Sequence, residues 1–168
     1  ISFTTRAKRF KEIHGVDYYF TKNDDFQKLN KKKYFIETAK VFDNLYGSPY
    51  INIKNAFKKN KHILFDIDWQ GAKKLRKIFH ASDIIDFFIL PPNKKELKKR
   101  LERRARDNKN EIKKRLSLAV NEITHYQEYK YVLVNDNIIK TVNDIIKIIE
   151  FEEILNKINE KVKFVNIH

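Results

Sequence analysis

Two arginines stand three residues apart in Ser2-Phe3-Thr4-Thr5-Arg6-Ala7-Lys8-Arg9-Phe10-Lys11-Glu12-Ile13-His14-Gly15-Val16-Asp17-Tyr18. At that spacing Arg6 and Arg9 can both reach one dianionic group, and each can hold it bidentately. Tyr18, beyond a glycine turn, is a further donor to the same group, and Glu12 can hold one arginine in its working rotamer. A solvated basic loop is the other meaning of such a stretch. Further along, Glu37 stands between Ile36 and Thr38 in a strand-like run, where a carboxylate is either a surface residue or an acceptor for two adjacent N–H groups. Asp66 and Asp68, two apart at the end of an apolar run, face the same side. A helix cap at Trp69 is the second reading of Asp68. Arg100 and Arg104, four apart, share one helix face, and Arg115 opens the next helix.

The string Ser-x-Thr-Thr-Arg, followed by Arg, Glu, Gly and Tyr at these offsets, resembles the nucleoside-monophosphate-binding segment of guanylate kinases. Phe35-Ile36-Glu37 with Leu45-Tyr46-Gly47-Ser48, then Asp66-Ile67-Asp68-Trp69-Gln70-Gly71, then Val134-Asn135-Asp136 agree with that family and in its order. Four motifs in order are far more specific than any one of them, and the resemblance runs from Ser2 to about Ile148.

The resemblance implies a division of roles. Arg6, Arg9, Tyr18 and Tyr46 would grip the phosphate of GMP, with Glu12 supporting them. Tyr46 taken by itself reads equally well as a packed aromatic. Glu37 would read guanine, whose N1–H and N2–H lie side by side, whereas adenine offers an acceptor at N1 and no adjacent amine. Ser2, Gly47, Ser48 and Asp68 would complete that site, which rejects a wrong base by leaving buried groups unpaired. Asp66 would help hold hydrated Mg²⁺ near the triphosphate of ATP, since magnesium uses few carboxylates. Arg100, Arg104 and Arg115 would belong to a lid that stabilises charge on the transferring phosphoryl group. Arg104 and Arg115, with Asn135, would also contact ATP. The glycine that the family carries after Arg104 is Ala105 here, which changes the lid's hinge.

The composition sets bounds. The chain has 168 residues, 42% of them hydrophobic, enough for one domain with a core and small subdomains. The net charge of +14 raises nucleic acid or a membrane surface as partners. The lysines run along the whole length without a basic patch interleaved with stacking aromatics, so neither partner is expected. No cysteine is present, which excludes disulfides and thiolate metal sites, and the five histidines have no metal-ligand spacing. No apolar run reaches the length of a membrane span and no signal-peptide pattern appears, so a cytoplasmic protein is expected. There is no Met, and none of Gly15, Gly47 and Gly71 sits in Gly-x-x-x-x-Gly-Lys-Ser/Thr. In guanylate kinases that phosphate-cradling loop lies just upstream of the segment that opens this chain. A strand, P-loop and helix are therefore expected before Ile1.

The elements that must position these residues follow from the hydrophobic pattern. A short strand is expected at 17–20, a helix at 24–30 with Asn23 as its cap, a strand at 34–42, a turn at 45–49 and a helix at 51–59. Buried parallel strands are expected at 62–66, 83–90 and 131–135. They alternate with helices at 71–79, 94–104, 110–128 and 141–156. This order predicts an α/β fold with a parallel sheet flanked by helices, as in P-loop nucleoside-monophosphate kinases. Residues 1–57 would form a small mixed α/β monophosphate-binding subdomain. Residues 58–168 would form the core, with a helical lid at about 98–118. The expected activity is ATP-dependent phosphorylation of GMP and dGMP. The alternative is a guanylate-kinase-like module that binds phosphorylated peptides and catalyses nothing, favoured by the missing P-loop. Retention of Glu37, Asp66, Arg104 and Arg115 speaks against it.

Overall fold

A seven-residue alternation organises the N-terminal half of the computed structural model, which describes residues 1–104 and 109–165. Strand β3 (Phe35–Val41) turns Phe35, Glu37 and Ala39 inward and leaves Lys40 exposed, the period of two that a half-buried strand requires. Two compact units are present, Ile1–Phe79 and His80–His168.

The first unit is built on a four-stranded mixed sheet in the order β2-β1-β4-β3, with β1 at Phe3–Thr4, β2 at Tyr19–Phe20 and β4 at Asn44–Pro49. Strand β1 runs parallel to β2 and antiparallel to β4, pairing Phe3 with Gly47 and Thr4 with Tyr46. Strands β3 and β4 form a hairpin whose two central residues, Phe42 and Asp43, have φ of 49° and 65°. Two left-handed residues in succession match the right-handed twist of the flanking strands. The expected turn at 45–49 is thus a strand, and Gly47 and Ser48 sit within the sheet. The sequence hid this because the true turn carries Phe-Asp rather than a glycine.

Helix α1 (Asn23–Lys31) presses Phe26 onto Phe35, ring centroids 4.7 Å apart and stacked. Its cap is Lys22 rather than Asn23, and no side chain closes the first turn. Helix α2 (Tyr50–Phe57) follows β4 directly. Helix α3 (Trp69–Ile78) packs on β3, burying Ala72 and Leu75. The stretch 62–66 is not a strand: it has no ladder partner among the described residues, and Leu64 is 93% exposed. A short apolar run becomes a strand only where another strand supplies its hydrogen bonds, and composition does not reveal that.

The second unit holds a parallel pair, β5 (Phe87–Leu90) and β6 (Tyr131–Val134), in register from Phe87–Tyr131 to Leu90–Val134. The crossover contains α4 (Lys94–Arg104) and α5 (Lys109–Ile123), as parallel strands demand. The strand expected from 83 is shorter because Ala81–Asp83 forms a 3₁₀ turn. The helix expected to 128 ends at Ile123 and tightens into a 3₁₀ segment over Thr124–Glu128. Ile89, Val132 and Val134 stay substantially exposed, so this pair is not covered on both faces among the described residues. Helix α6 (Ile138–Val165) is longer at both ends than expected. Its first turn is closed by Asn137, whose Oδ1 accepts from the Lys140 N–H at 3.0 Å.

Candidate functional site

Between β1 and β2 the chain loops outward and returns, and the loop's charges are organised by one carboxylate. The Arg6 guanidinium donates to both oxygens of Glu12, at 3.0 and 2.7 Å, and to the Ala7 carbonyl at 2.8 Å. The Arg9 backbone N–H donates to Glu12 at 2.7 Å, while the Arg9 guanidinium stays 3.9 Å away and mostly exposed. Arg6 lies over the rings of Tyr18 and Phe20, 5.5 and 5.7 Å from their centroids. Tyr18 meets Tyr46 edge to face at 6.1 Å. The Glu12 hydrogen bonds push the Arg6 pKa further up and hold the Glu12 carboxyl below its ordinary range. Burial, then the charge of Asp66, raises the Tyr18 phenol, which therefore stays a hydrogen-bond donor. One fixed guanidinium and two phenols thus lie together, with a second, exposed guanidinium beside Glu12, a donor set with the chemistry to hold an anion.

Thr4 explains how the loop leaves the sheet. It is fully buried, and its hydroxyl accepts from the Arg6 N–H at 3.1 Å. Thr5 ties the same corner to β4, accepting from the Leu45 N–H at 2.8 Å. These hydroxyls were visible in the sequence, but their scaffolding role needed the strand pairing. The cation–π partner Phe20 left no signal there.

The second cluster lies on β3 and β4. Glu37 is only 3% exposed and sits opposite Ser48 in the ladder. Ser48 is an influence that lowers the Glu37 pKa, and the Ser2 and Ser48 hydroxyls are 3.3 Å apart. Burial is the largest influence on Glu37 and raises its pKa, Ser48 and Lys74 oppose that, and Asp68 adds to it. A buried carboxylate beside a serine has the chemistry to accept from a ligand that brings its own N–H groups.

Helix α3 closes this cluster. A Cβ on Gly71 would lie 2.9 Å from Glu37 Oε2 and 3.1 Å from Ile67 Cβ, so a side chain there would displace the Glu37 carboxylate. Asp68 is the α3 cap: Oδ1 accepts from the Gly71 N–H at 3.0 Å and Oδ2 from Gln70 at 2.8 Å. The structure therefore places Asp68 in the capping role, next to Glu37. Gly47 serves packing, since a Cβ there would stand 2.8 Å from Phe35 Cγ and 3.0 Å from Phe26 Cζ. Asp66 is exposed on the irregular stretch before α3, and its charge reaches Tyr18. Among the described residues no group of three or more His, Cys, Asp or Glu could hold a metal. A single open carboxylate fits Mg²⁺, which keeps waters and completes its shell with phosphate oxygens.

In the second unit, Arg100 donates to Glu96 at 3.0 Å and to the Asn135 carbonyl at 2.9 Å. Asn135 also accepts from the Thr141 hydroxyl at 3.4 Å. Arg100 and Asn135 are brought together, and Arg100 here ties α4 to the end of β6. Arg104 ends α4 and Arg115 lies in α5, but their side chains, like the hinge at 105–108, fall outside the described residues. Among the described residues no helix is long and apolar enough to cross a membrane.

Known proteins resemble the chain over nearly all of this structure. The guanylate kinase family model matches residues 1–152. A guanylate kinase of Rickettsia conorii is 44% identical over 149 residues, 89% of this chain, and the chain spans 64% of that protein's length. One from Haemophilus influenzae is 41% identical over 162 residues, covering 96% of this chain and 77% of its own. The crystal structure of guanylate kinase from Anaplasma phagocytophilum superposes with a TM-score of 0.78 at 37% identity, over 90% of this chain and 73% of that one. Motifs, fold and relatives agree, and the chain belongs to the guanylate kinase family.

Proposed function

We propose that the protein transfers a phosphoryl group from ATP to GMP or dGMP, giving ADP and GDP or dGDP. The observation that carries this reading is the buried Glu37 carboxylate, opposite Ser48 on the same sheet that supports Arg6, Tyr18 and Tyr46. One sheet thus offers a base-reading acceptor and an anion grip. Glu37 accepts the guanine N1–H and N2–H, and adenine would leave it buried and unpaired. Arg6, locked by Glu12, presents a fixed guanidinium to the monophosphate, and the exposed Arg9 closes on it.

Asp66 is the residue that would hold Mg²⁺, which when bound neutralises phosphate charge on the donor. Arg100, Arg104 and Arg115 would stabilise charge on the transferring group, and Arg104, Arg115 and Asn135 would contact ATP. The chain's residues position and neutralise, and none needs to form a covalent intermediate.

The test is calorimetric titration of the intact protein with GMP, dGMP and AMP, paired with a coupled assay for ADP release. Selective binding of the two guanine nucleotides with GMP-dependent ADP release is expected. Equal affinity for AMP would overturn the guanine-reading role, and selective GMP binding without turnover would overturn the kinase.

A further inference from the structure

Strand β3 is an edge of its sheet, and α3 covers that edge with two side chains one helical turn apart. Gln70 Nε2 donates to the Lys40 carbonyl at 3.2 Å. Lys74 Nζ donates to the Thr38 carbonyl and, at 3.0 Å, to the Thr38 hydroxyl. The two carbonyls are alternate residues of β3, and the two donors are four apart on α3, so the helix is stitched to the strand at matched spacing. Glu37 lies immediately before the stitched Thr38, and its Oε2 faces Gly71 on the same helix.

Building on the proposed guanine recognition, we infer that Lys74 is a positioning residue for it, clamping β3 to α3 beside Glu37 and supplying the positive charge that keeps this buried carboxylate an acceptor. The charged and polar groups facing Glu37 are few among the described residues. Strand β4 contributes the neutral Ser48, which the neutral Ser2 hydroxyl approaches to 3.3 Å, the α3 cap contributes Asp68, and α3 contributes Lys74. Burial and Asp68 both drive Glu37 toward its protonated form, and Ser48 and the Lys74 ammonium oppose them. A protonated Glu37 presents a donor where guanine needs two acceptors, so the balance decides whether the site works. Lys74 therefore acts on GMP through Glu37, without touching it.

The test is the pH profile of GMP affinity in wild type, Lys74→Gln, Lys74→Glu and Lys74→Arg. In parallel, the Glu37 carboxyl carbon is followed by NMR in the free proteins. Lys74 is exposed, so its variants should fold, and melting curves verify it. In Lys74→Gln the Glu37 titration and the acid limb of GMP binding should move together to higher pH. GMP should weaken several-fold at the acid end and little near pH 8. Lys74→Glu should move both further, and Lys74→Arg should restore them. An unmoved Glu37 midpoint in Lys74→Gln and Lys74→Glu, with wild type still selecting GMP, overturns this inference alone. Loss of GMP selectivity in wild type itself would instead overturn the reading on which it rests.

Discussion

Arg6 and Glu12 face each other across the opening loop through two parallel hydrogen bonds, at 3.0 and 2.7 Å. Both side chains are mostly buried, 14% and 17% exposed, so the pair is neither a surface decoration nor a core ion pair. Glu12→Gln removes the charge and one of the two acceptors, and Arg6 is left to swing. The cost to the fold should be about 1–2 kcal/mol, between an exposed and a fully buried pair. GMP affinity should fall while guanosine affinity holds, because only the phosphate uses Arg6. Calorimetry with both ligands checks this, and equal losses would make the pair structural.

The Glu12 carboxyl is also a pH sensor for the fold. Its pKa is lowered by the Arg6 hydrogen bonds, so its stabilisation is present above the unfolded carboxylate value. That stabilisation is lost as pH falls through the depressed folded value. In Glu12→Gln this acid-limb loss should be reduced. Urea midpoints recorded from neutral to acid pH measure it, and superimposable wild-type and variant profiles would refute it.

Glu37 has the opposite sign. Burial raises its pKa, so the folded state binds a proton more tightly than the unfolded one. Its contribution to stability is most favourable below the unfolded value and declines as pH rises through the folded one. Ionising Glu37 in the folded state therefore costs stability. Glu37→Gln should raise Tm without ligand while weakening GMP by about 1–3 kcal/mol, because an amide cannot accept two parallel N–H bonds. ATP affinity should not change. A variant that melts lower and loses both nucleotides equally would mean that Glu37 serves packing.

The contrast between these carboxylates shows what the sequence could convey. Arg6, Glu12, Tyr18, Glu37 and Ser48 were legible because their types and order match a family pattern, and the strand at 35–41 was legible from its alternation. The turn at Phe42–Asp43 was not, since a phenylalanine gives no sign of a left-handed backbone and no glycine follows it. The 62–66 stretch misled because its composition suits a strand, whereas pairing is a property of neighbours. Asp68 was ambiguous between ligand and cap, and only the Gly71 N–H bond decides what it does in this structure. Lys74 left no trace, because a lysine among 36 cationic residues becomes informative only when its ammonium is seen to reach a particular carbonyl.

Gly47 tests how packing supports the site. Gly47→Ala would place a methyl against Phe35 and Phe26, at separations that ordinary contacts never show. Those rings stack between α1 and β3 and have little room to give. Destabilisation of about 1–3 kcal/mol is expected. The flanking Tyr46 and Ser48 should shift with the strand, so GMP affinity should fall as well. Thermal melting and titration together check this; a variant of wild-type stability would show that the rings relax freely.

The last prediction concerns the second unit. Glu152 on α6 is 5% exposed, accepts from Lys130 Nζ at 2.6 Å and from the Tyr131 hydroxyl, and so anchors the helix to the start of β6. The Lys130 and Tyr131 hydrogen bonds depress its pKa, and the same carboxylate raises both of theirs. Its stabilisation is thus present above the unfolded carboxylate value and is lost as pH falls through the lower folded one. Glu152→Gln should cost about 1–2 kcal/mol near neutral pH, since a charge-assisted pair becomes a neutral one. The deficit should shrink toward acid pH, where wild type is protonated too. GMP affinity, which the proposed function assigns to residues of the first unit, should be unaffected. Chemical denaturation at several pH values, with GMP titration at neutral pH, measures both. A deficit that is constant with pH would mean that Glu152 contributes shape and not charge, and the anchor would have to be reassigned to packing along α6.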